Sequence, residues 1–446
     1  MANDSPGSRR RSEFVLADDL SGALEVAACF VRDGRKVTLP LCADPEIPPA
    51  HGLLVLSSET RNASAEAARE SIRAACGALR RQGATILFKK IDSTARGPVG
   101  AELEAVWEVF PEKMAVFCPA NPAVGRTVVG GVLRVSGIEI ADTPFRDDPR
   151  WPMRSSVVES IVDPEGAFPA ASLSLAAIRQ GAATVSRELD SARRDGRRIV
   201  YCDAETRDDL DALVSAVLSH PAVLLLVGSG GLGRVLAEMM PAEETVPPAT
   251  DRDSPEKVAG QVPLPAAQGR TDSTHIQQRA EGPARPPVIP GGLYVVGSRH
   301  PASHAQLDLL RRRVGLDIFD FCGGAPDQPL LRRVSESLEA RGRAGIRFGK
   351  EAGGASGMIE NLAVFVSRVR GVSTLVATGG ETAFAICRHL GVRALEVIAE
   401  MEPGVVATRA DFDGRSLILV TKPGGFGDEE TFARVHAWLP SLSPDA

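Results

Sequence analysis

Phe14-Val15-Leu16-Ala17-Asp18-Asp19-Leu20-Ser21-Gly22-Ala23 decides how this chain is read. Its four leading apolar residues have the run of a buried strand, and the pattern after the polar break has helical spacing over Leu20–Arg32. A buried strand followed by a crossover helix is the repeating unit of a parallel α/β sheet. The strand signal recurs at Lys36–Leu41, Leu53–Leu56, Thr85–Phe88, Ala115–Cys118, Ile199–Cys202 and Val223–Val227. Helical patterns at Ala63–Arg81 and Leu210–Leu218 lie between some of them. The spacing predicts one α/β domain over residues 13–240, behind a disordered tail at 1–12.

From Pro241 to Pro290 the composition changes to ten prolines among small and polar residues, with no apolar period, which predicts a linker or insertion. Strands resume at Tyr294–Val296, Ile318–Phe321, Leu375–Ala377, Leu395–Ile398 and Leu417–Val420. Helical stretches at Ala305–Arg313, Leu330–Arg341, Met358–Val369 and Thr382–Leu390 separate them, predicting a second α/β domain over about 291–440. The fold class is two α/β domains with mainly parallel sheets.

Composition narrows the function. Of 446 residues, 51 are Lys or Arg and 57 Asp or Glu, so the net charge is 51 − 57 = −6, and 43% are apolar. That excludes a polycation and a disordered chain, and gives no basic footprint for nucleic acid. No membrane span or export signal is read. Seven cysteines are scattered singly, with no zinc spacing, and read as buried thiols of a cytoplasmic protein.

Ligands of open α/β sheets bind at the carboxyl ends of strands. Asp18 and Asp19 follow the first strand, where they can bind hydroxyls or accept a proton; the plainer alternative is that Asp19 or Ser21 caps the next helix. Lys89–Glu102 (KKIDSTARGPVGAE) gathers cations, an acid, hydroxyls and glycines at another strand end, which suits a small anionic, hydroxylated substrate. Thr60-Arg61 and Arg126-Thr127 add to the same edge. Gly228–Gly233 matches G-x-G-x-x-G, yet the chain enters the proline-rich stretch where the second strand of a dinucleotide fold belongs, so close helix–strand packing is the better reading. In the second domain, glycine-bearing turns follow strands at Gly297-Ser298, Thr378–Thr382 (TGGET) and Lys422–Asp428 (KPGGFGD), a pattern for phosphate held by backbone N–H groups. Glu400 or Glu402, beside a fourth turn, are candidates to order magnesium or ribose. His300 and His304 lie at i, i+4 without a third ligand.

In combination and order, Ala17–Ala23 (ADDLSGA), the KKIDSTARGPVGAEL run, Pro119–Gly131 (PANPAVGRTVVGG), TGGETA, EPGV and KPGGFGD resemble the four-carbon acid sugar kinases, over nearly the whole chain. The resemblance implies an N-terminal domain for the acid sugar, a C-terminal domain for ATP, an active site in the cleft between them, and phosphorylation of the 4-hydroxyl of a tetronate with Mg²⁺. KKIDST and PANPAVGRT are nearer the threonate and erythronate branch than the 3-oxo-tetronate branch. Carried over position by position, Asp18, Asp19 and Asp92 are the candidate catalytic acids, and Arg61, Lys89, Lys90 and Ser93 the substrate-binding residues; Arg126 joins them from the rigid turn that presents it at the same edge. Ser298, Gly379, Gly380, Glu381, Thr382, Gly424 and Gly425 fall on the nucleotide segments. Arg61 with Lys89 and Lys90 is expected to clamp the substrate carboxylate, one of the acids to take the hydroxyl proton, and closure across the linker to exclude water. The expected partners are a sugar acid and ATP, with a homodimer left open. A 3-oxo-tetronate kinase, a kinase of another short sugar acid, a non-catalytic sugar-acid sensor and an NAD(P) oxidoreductase are the alternatives.

Overall fold

The computed structural model describes residues 12–31, 35–41, 52–240, 291–298, 300–324, 327–349, 357–412 and 414–442. The expected linker at 241–290 and, apart from Ser12, the expected tail lie outside the described residues, as does Cys42.

Apolar runs of four or five residues make buried strands here because both faces of each strand are covered. Met114–Cys118, Ile199–Cys202 and Leu224–Gly228 are buried at every position, as expected of parallel strands between two helical layers. The helices carry matching stripes: in Ala65–Arg81 the buried residues include Ala68, Ile72, Cys76 and Leu79, one face of a 3.6-residue period. Ser64 caps that helix by accepting the Ala67 N–H, and Thr206 with Asp209 forms a capping box on Arg207–Ser219.

The expectation of α/β architecture with mainly parallel sheets holds, with one addition: the strands of both halves form a single 15-stranded sheet. Eight parallel strands belong to the N-terminal half, in the order Val37–Pro40, Leu53–Ser57, Glu13–Ala17, Thr85–Lys90, Leu224–Gly228, Met114–Cys118, Ile199–Cys202, Ala170–Leu173. The C-terminal half continues from Val37–Pro40 through Ala394–Glu402, Val405–Phe412, Arg415–Lys422, Thr374–Thr378, Gly292–Val296 and Arg343–Phe348 to Ile318–Phe321. The seam is antiparallel, Thr38, Leu39 and Pro40 facing Glu396, Leu395 and Ala394, and Leu41 N–H donates to Arg393 O at 2.9 Å. Among the described residues, two ion pairs also cross between the halves, Arg234 to Glu400 and Arg150 to Glu381, each at 2.8 Å. Relative motion of the halves must therefore bend this seam and break these pairs, a tighter restraint than the linker alone suggested.

Several elements lie beyond the sequence reading. Val405–Phe412 pairs antiparallel on both sides, so the turn at Glu402-Pro403-Gly404 leads from strand to strand, with Gly404 at φ +77°. A separate three-stranded sheet spans Arg126–Val129, Val132–Val135 and Ile138–Glu139. Of the described cysteines five are buried thiols, but Cys322 is exposed, against expectation, because it follows the last residue of an edge strand. No described helix is long and apolar enough to cross a membrane.

Leu39 and Leu395 face each other across the seam, both fully buried. Leu39→Ala is expected to cost roughly 2–5 kcal/mol, read as a lowered thermal midpoint; an unchanged midpoint would show that the seam carries little of the packing.

Candidate active site

Both readings of the first turn are realised together. Asp19 caps helix Leu20–Phe30, its Oδ1 accepting the Gly22 N–H at 2.7 Å. Its Oδ2 meets Arg61 Nη1 at 2.5 Å. The same guanidinium donates from Nε and Nη2 to the two oxygens of Asp18, at 2.8 and 2.9 Å. This fork geometry is the strong form of an arginine–carboxylate pair. The Arg61 turn is itself fixed to the first strand's end, since Thr60 and Arg61 N–H groups both donate to Asp18 O. Burial pushes the Asp18 carboxyl up, but Arg61, Lys90 and Lys89 outweigh it and hold Asp18 below the usual range. For Asp19 burial prevails over Arg61, and neighbouring Asp18 adds to the rise. Arg61, expected to clamp the substrate carboxylate, is instead taken up by these two acids.

Successive strand side chains point to opposite faces, which separates Lys89 from Lys90. Lys89 is 0% exposed, paired with buried Glu102 at 2.8 Å, and lines neither of the two cavities of the cleft. It is a strut beneath the site, which corrects its expected place among the substrate-binding residues. Lys90 faces the cleft, 3.3 Å from Glu25. Asp92 receives Arg96 Nε at 2.8 Å and the Thr94 hydroxyl. Despite burial, Arg61 and Arg96 hold its carboxyl far below the ordinary range. So anchored by two cations, Asp92, one of the three acids expected to take the proton, is better placed to accept hydrogen bonds than to act as a base.

Two adjoining cavities share Arg61. One, of about 430 Å³, is lined by Ser21, Lys90, Asp92, Ser93, Arg96 and Arg126 from the N-terminal half and by Pro423, Gly425 and Phe426 from the C-terminal half. The other, of about 290 Å³, has Asp18, Asp19, Glu59 and Arg61 on one wall and Ser298 with Gly379, Gly380, Glu381 and Thr382 on the other. Gly379 adopts φ +90° and Gly380 begins helix Gly380–Leu390. A Cβ at Gly380 would lie 2.5 Å from Ser21 Oγ, so only glycine lets the two halves approach this closely. The glycine turns are thus divided: Gly379-Gly380 faces the smaller cavity and Gly425 the larger. Gly424 lines neither, being packed on Ser298.

Other candidates are occupied. Glu400 is gripped by Arg234 and the Gly404 N–H, and Glu402 by Arg434 and Thr431, and neither of these candidates for magnesium or ribose lines either of the two cavities. His300 caps helix Pro301–Val314, and His304 meets Ser298 O at 3.1 Å. Among the described residues no three His, Cys, Asp or Glu converge as a metal cluster. The Gly228–Gly233 turn packs closely, a Cβ at Gly230 falling 2.1 Å from Glu25 Oε1 and one at Gly233 2.6 Å from Val26 Cγ2. Glu59 and Asn62 in the smaller cavity carry no motif of their own and were not among the expected site residues, although both lie beside Arg61 at the carboxyl end of the third strand.

Comparison with known proteins agrees with this division of labour. A sugar-binding N-terminal domain profile matches residues 14–236, and a nucleotide-binding C-terminal domain profile matches residues 293–432. A D-threonate kinase of Cupriavidus necator is 30% identical, covering 96% of this chain and 97% of its own. A 3-oxo-tetronate kinase of Pseudomonas fluorescens is 29% identical, with 95% and 96% covered. The crystal structure of a candidate tRNA synthase from Salmonella typhimurium superposes with a TM-score of 0.74 at 21% identity, over 95% of this chain and 98% of that one, a likeness of fold alone. With both domain types matched in order and relatives aligned over almost their full length, the chain belongs to the four-carbon acid sugar kinase family.

Proposed function

We propose that this protein is an ATP-dependent kinase of the terminal 4-hydroxyl of a four-carbon sugar acid, of the D-threonate or D-erythronate type. The observation that carries the reading is the contact of Ser21 with Gly380, which brings a wall of carboxylates and cations against a glycine turn at a helix N-terminus. Phosphoryl transfer depends on positioning and charge stabilisation, and these two walls supply one each. Lys90, Ser93 and Arg126 hold the sugar acid in the larger cavity, and Asp18 and Asp19 orient its terminal hydroxyl toward the smaller one. Ser298 and the backbone of Gly379, Gly380 and Thr382 receive the phosphates, with the helix dipole adding attraction.

Magnesium fits this arrangement as an ion carried in with the triphosphate, since such sites use one or two carboxylates and several phosphate oxygens. Glu381, 47% exposed on the cavity wall, is the carboxylate that would hold it, exchanging its exposed pair with Arg150 for the ion. When bound, the ion neutralises phosphate charge; the chain's own residues orient the acceptor and keep water from its place.

ADP release with Mg·ATP should be strong for one of D-threonate, L-threonate, D-erythronate and L-erythronate and weaker for 3-oxo-tetronate. Preference for 3-oxo-tetronate would move the protein to that branch, and silence with all five would sink the reading. Replacing both Asp18 and Asp19 with Asn should lower kcat/KM by about 10²-fold or more, and intact turnover would remove them from the site. Lys89→Met should act differently, leaving Glu102 buried and unpaired at a cost of roughly 3–5 kcal/mol, visible as a lower unfolding midpoint.

A further inference from the structure

Four carboxylates line the smaller cavity, and three of them are committed to cations: Asp18 and Asp19 to Arg61, Glu381 to Arg150. The fourth, Glu59, forms an ion pair with no described Lys or Arg. Its Oε1 accepts the Ser57 hydroxyl at 2.5 Å, and the Leu20 N–H also favours its charged form. Glu59 further stands at φ +51°, in the left-handed region that a glutamate seldom enters. The strain is held by its neighbours, since Ser58 N–H donates to Ala17 O, and Thr60 and Arg61 N–H groups to Asp18 O. The turn is thereby locked to the end of the first strand, with Glu59 on the cavity wall opposite Gly379 and Gly380. Strained residues that the surroundings over-determine gather at functional sites.

We propose that Glu59 is the catalytic base, the carboxylate that takes the proton from the terminal hydroxyl of the sugar acid. This rests on the kinase reading above. In the step, the O–H bond breaks and its proton passes to a Glu59 oxygen. The freed oxygen pair forms the bond to the γ-phosphorus of ATP, the bond between that phosphorus and the β,γ-bridging oxygen breaks, and ADP leaves with that electron pair. Release of the proton to water restores Glu59. The charge environment agrees: burial pushes the Glu59 carboxyl up to about 7, Asp19 adds to the rise, and Ser57, Leu20 N–H and Arg61 oppose it. A base is most effective with its pKa near the working pH. Asp18, held below the usual carboxylate range, and Asp92, held far below it, are poorly suited to the task, and Asp19 is engaged by Arg61 and the Gly22 N–H.

The test is a kcat–pH profile of the full chain with Mg·ATP and the best tetronate. The wild type should lose kcat as pH falls through about 7, where Glu59 becomes protonated. Asp18, Asp19, Arg61 and Glu381 also face this cavity, so the assignment needs variants. Glu59→Gln should lower kcat by roughly 10²–10⁴-fold, leave the KM for ATP within about twofold, and abolish the acid limb. Glu59→Asn, which accepts the left-handed backbone, should fold at least as well and be equally slow. Either variant keeping kcat within a few-fold of wild type, or keeping the acid limb, would overturn the assignment. If the wild type turns over none of the acids, the kinase reading itself has failed and Glu59 falls with it.

Discussion

The short antiparallel pairing of Thr38–Pro40 with Ala394–Glu396 is the constraint on which the cleft depends. It sets the parallel strands of the two halves running in opposite directions, which in a flat sheet would put their carboxyl ends on opposite edges. Strands twist, however, by about 20–25° from one to the next. From Glu13–Ala17 across the seam to Thr374–Thr378 there are six steps, which accumulate to roughly 120–150°. That rotation nearly reverses direction, so the strand end carrying Asp18 and the strand end carrying Gly379 come to face each other. The contact of Ser21 with Gly380 is the outcome.

Bringing those ends together concentrates charge in a largely buried cleft, and buried charges persist only when paired. The N-terminal wall meets this requirement in layers. Lys89 and Glu102 neutralise each other beneath the site, Arg61 joins Asp18 and Asp19 at its surface, and Arg96 holds Asp92 at its rim. The arrangement resists rearrangement because each of these paired acids, in moving, must leave a cation behind. It also explains why so many acids can line one cleft without all sharing one chemistry: a carboxylate's partner, more than its position, decides whether it anchors or reacts.

The sequence made the strand ends legible because burial on both faces writes an uninterrupted apolar run, and the residues just after such runs are the ones that reach the cleft. Asp18, Asp19, Arg61, Lys90, Ser93, Arg126 and Gly379 to Thr382 could be found in that way. Which of two adjacent lysines faces the ligand was beyond it, since Lys89 and Lys90 differ only by the strand's alternation and by a glutamate thirteen residues away in sequence. The seam was equally hidden: Val37–Pro40 reads as one more strand, and nothing local says that its partner lies some 350 positions on. Glu59 escaped notice because its distinguishing feature is the backbone angle imposed on it by the first strand, which no residue pattern records.

The same accounting of partners bears on how the sugar acid is held. Of the cations lining the larger cavity, Lys90 is balanced by Glu25, Arg96 by Asp92 and Asp148, and Arg61 by Asp18 and Asp19. Arg126 is different: its Nη1 donates to its near neighbour Val124 O, no described carboxylate pairs with it, and its Nε is buried without a partner. A buried N–H left unmatched by protein is costly, and a substrate carboxylate would satisfy it bidentately. On the proposed function the acid end of the substrate therefore belongs at Arg126, on the strand pair that follows Pro119–Gly125. The hydroxyl end would then lie toward Asp19 and the glycine turn, and the distance between the two would set how long a sugar acid the cleft accepts.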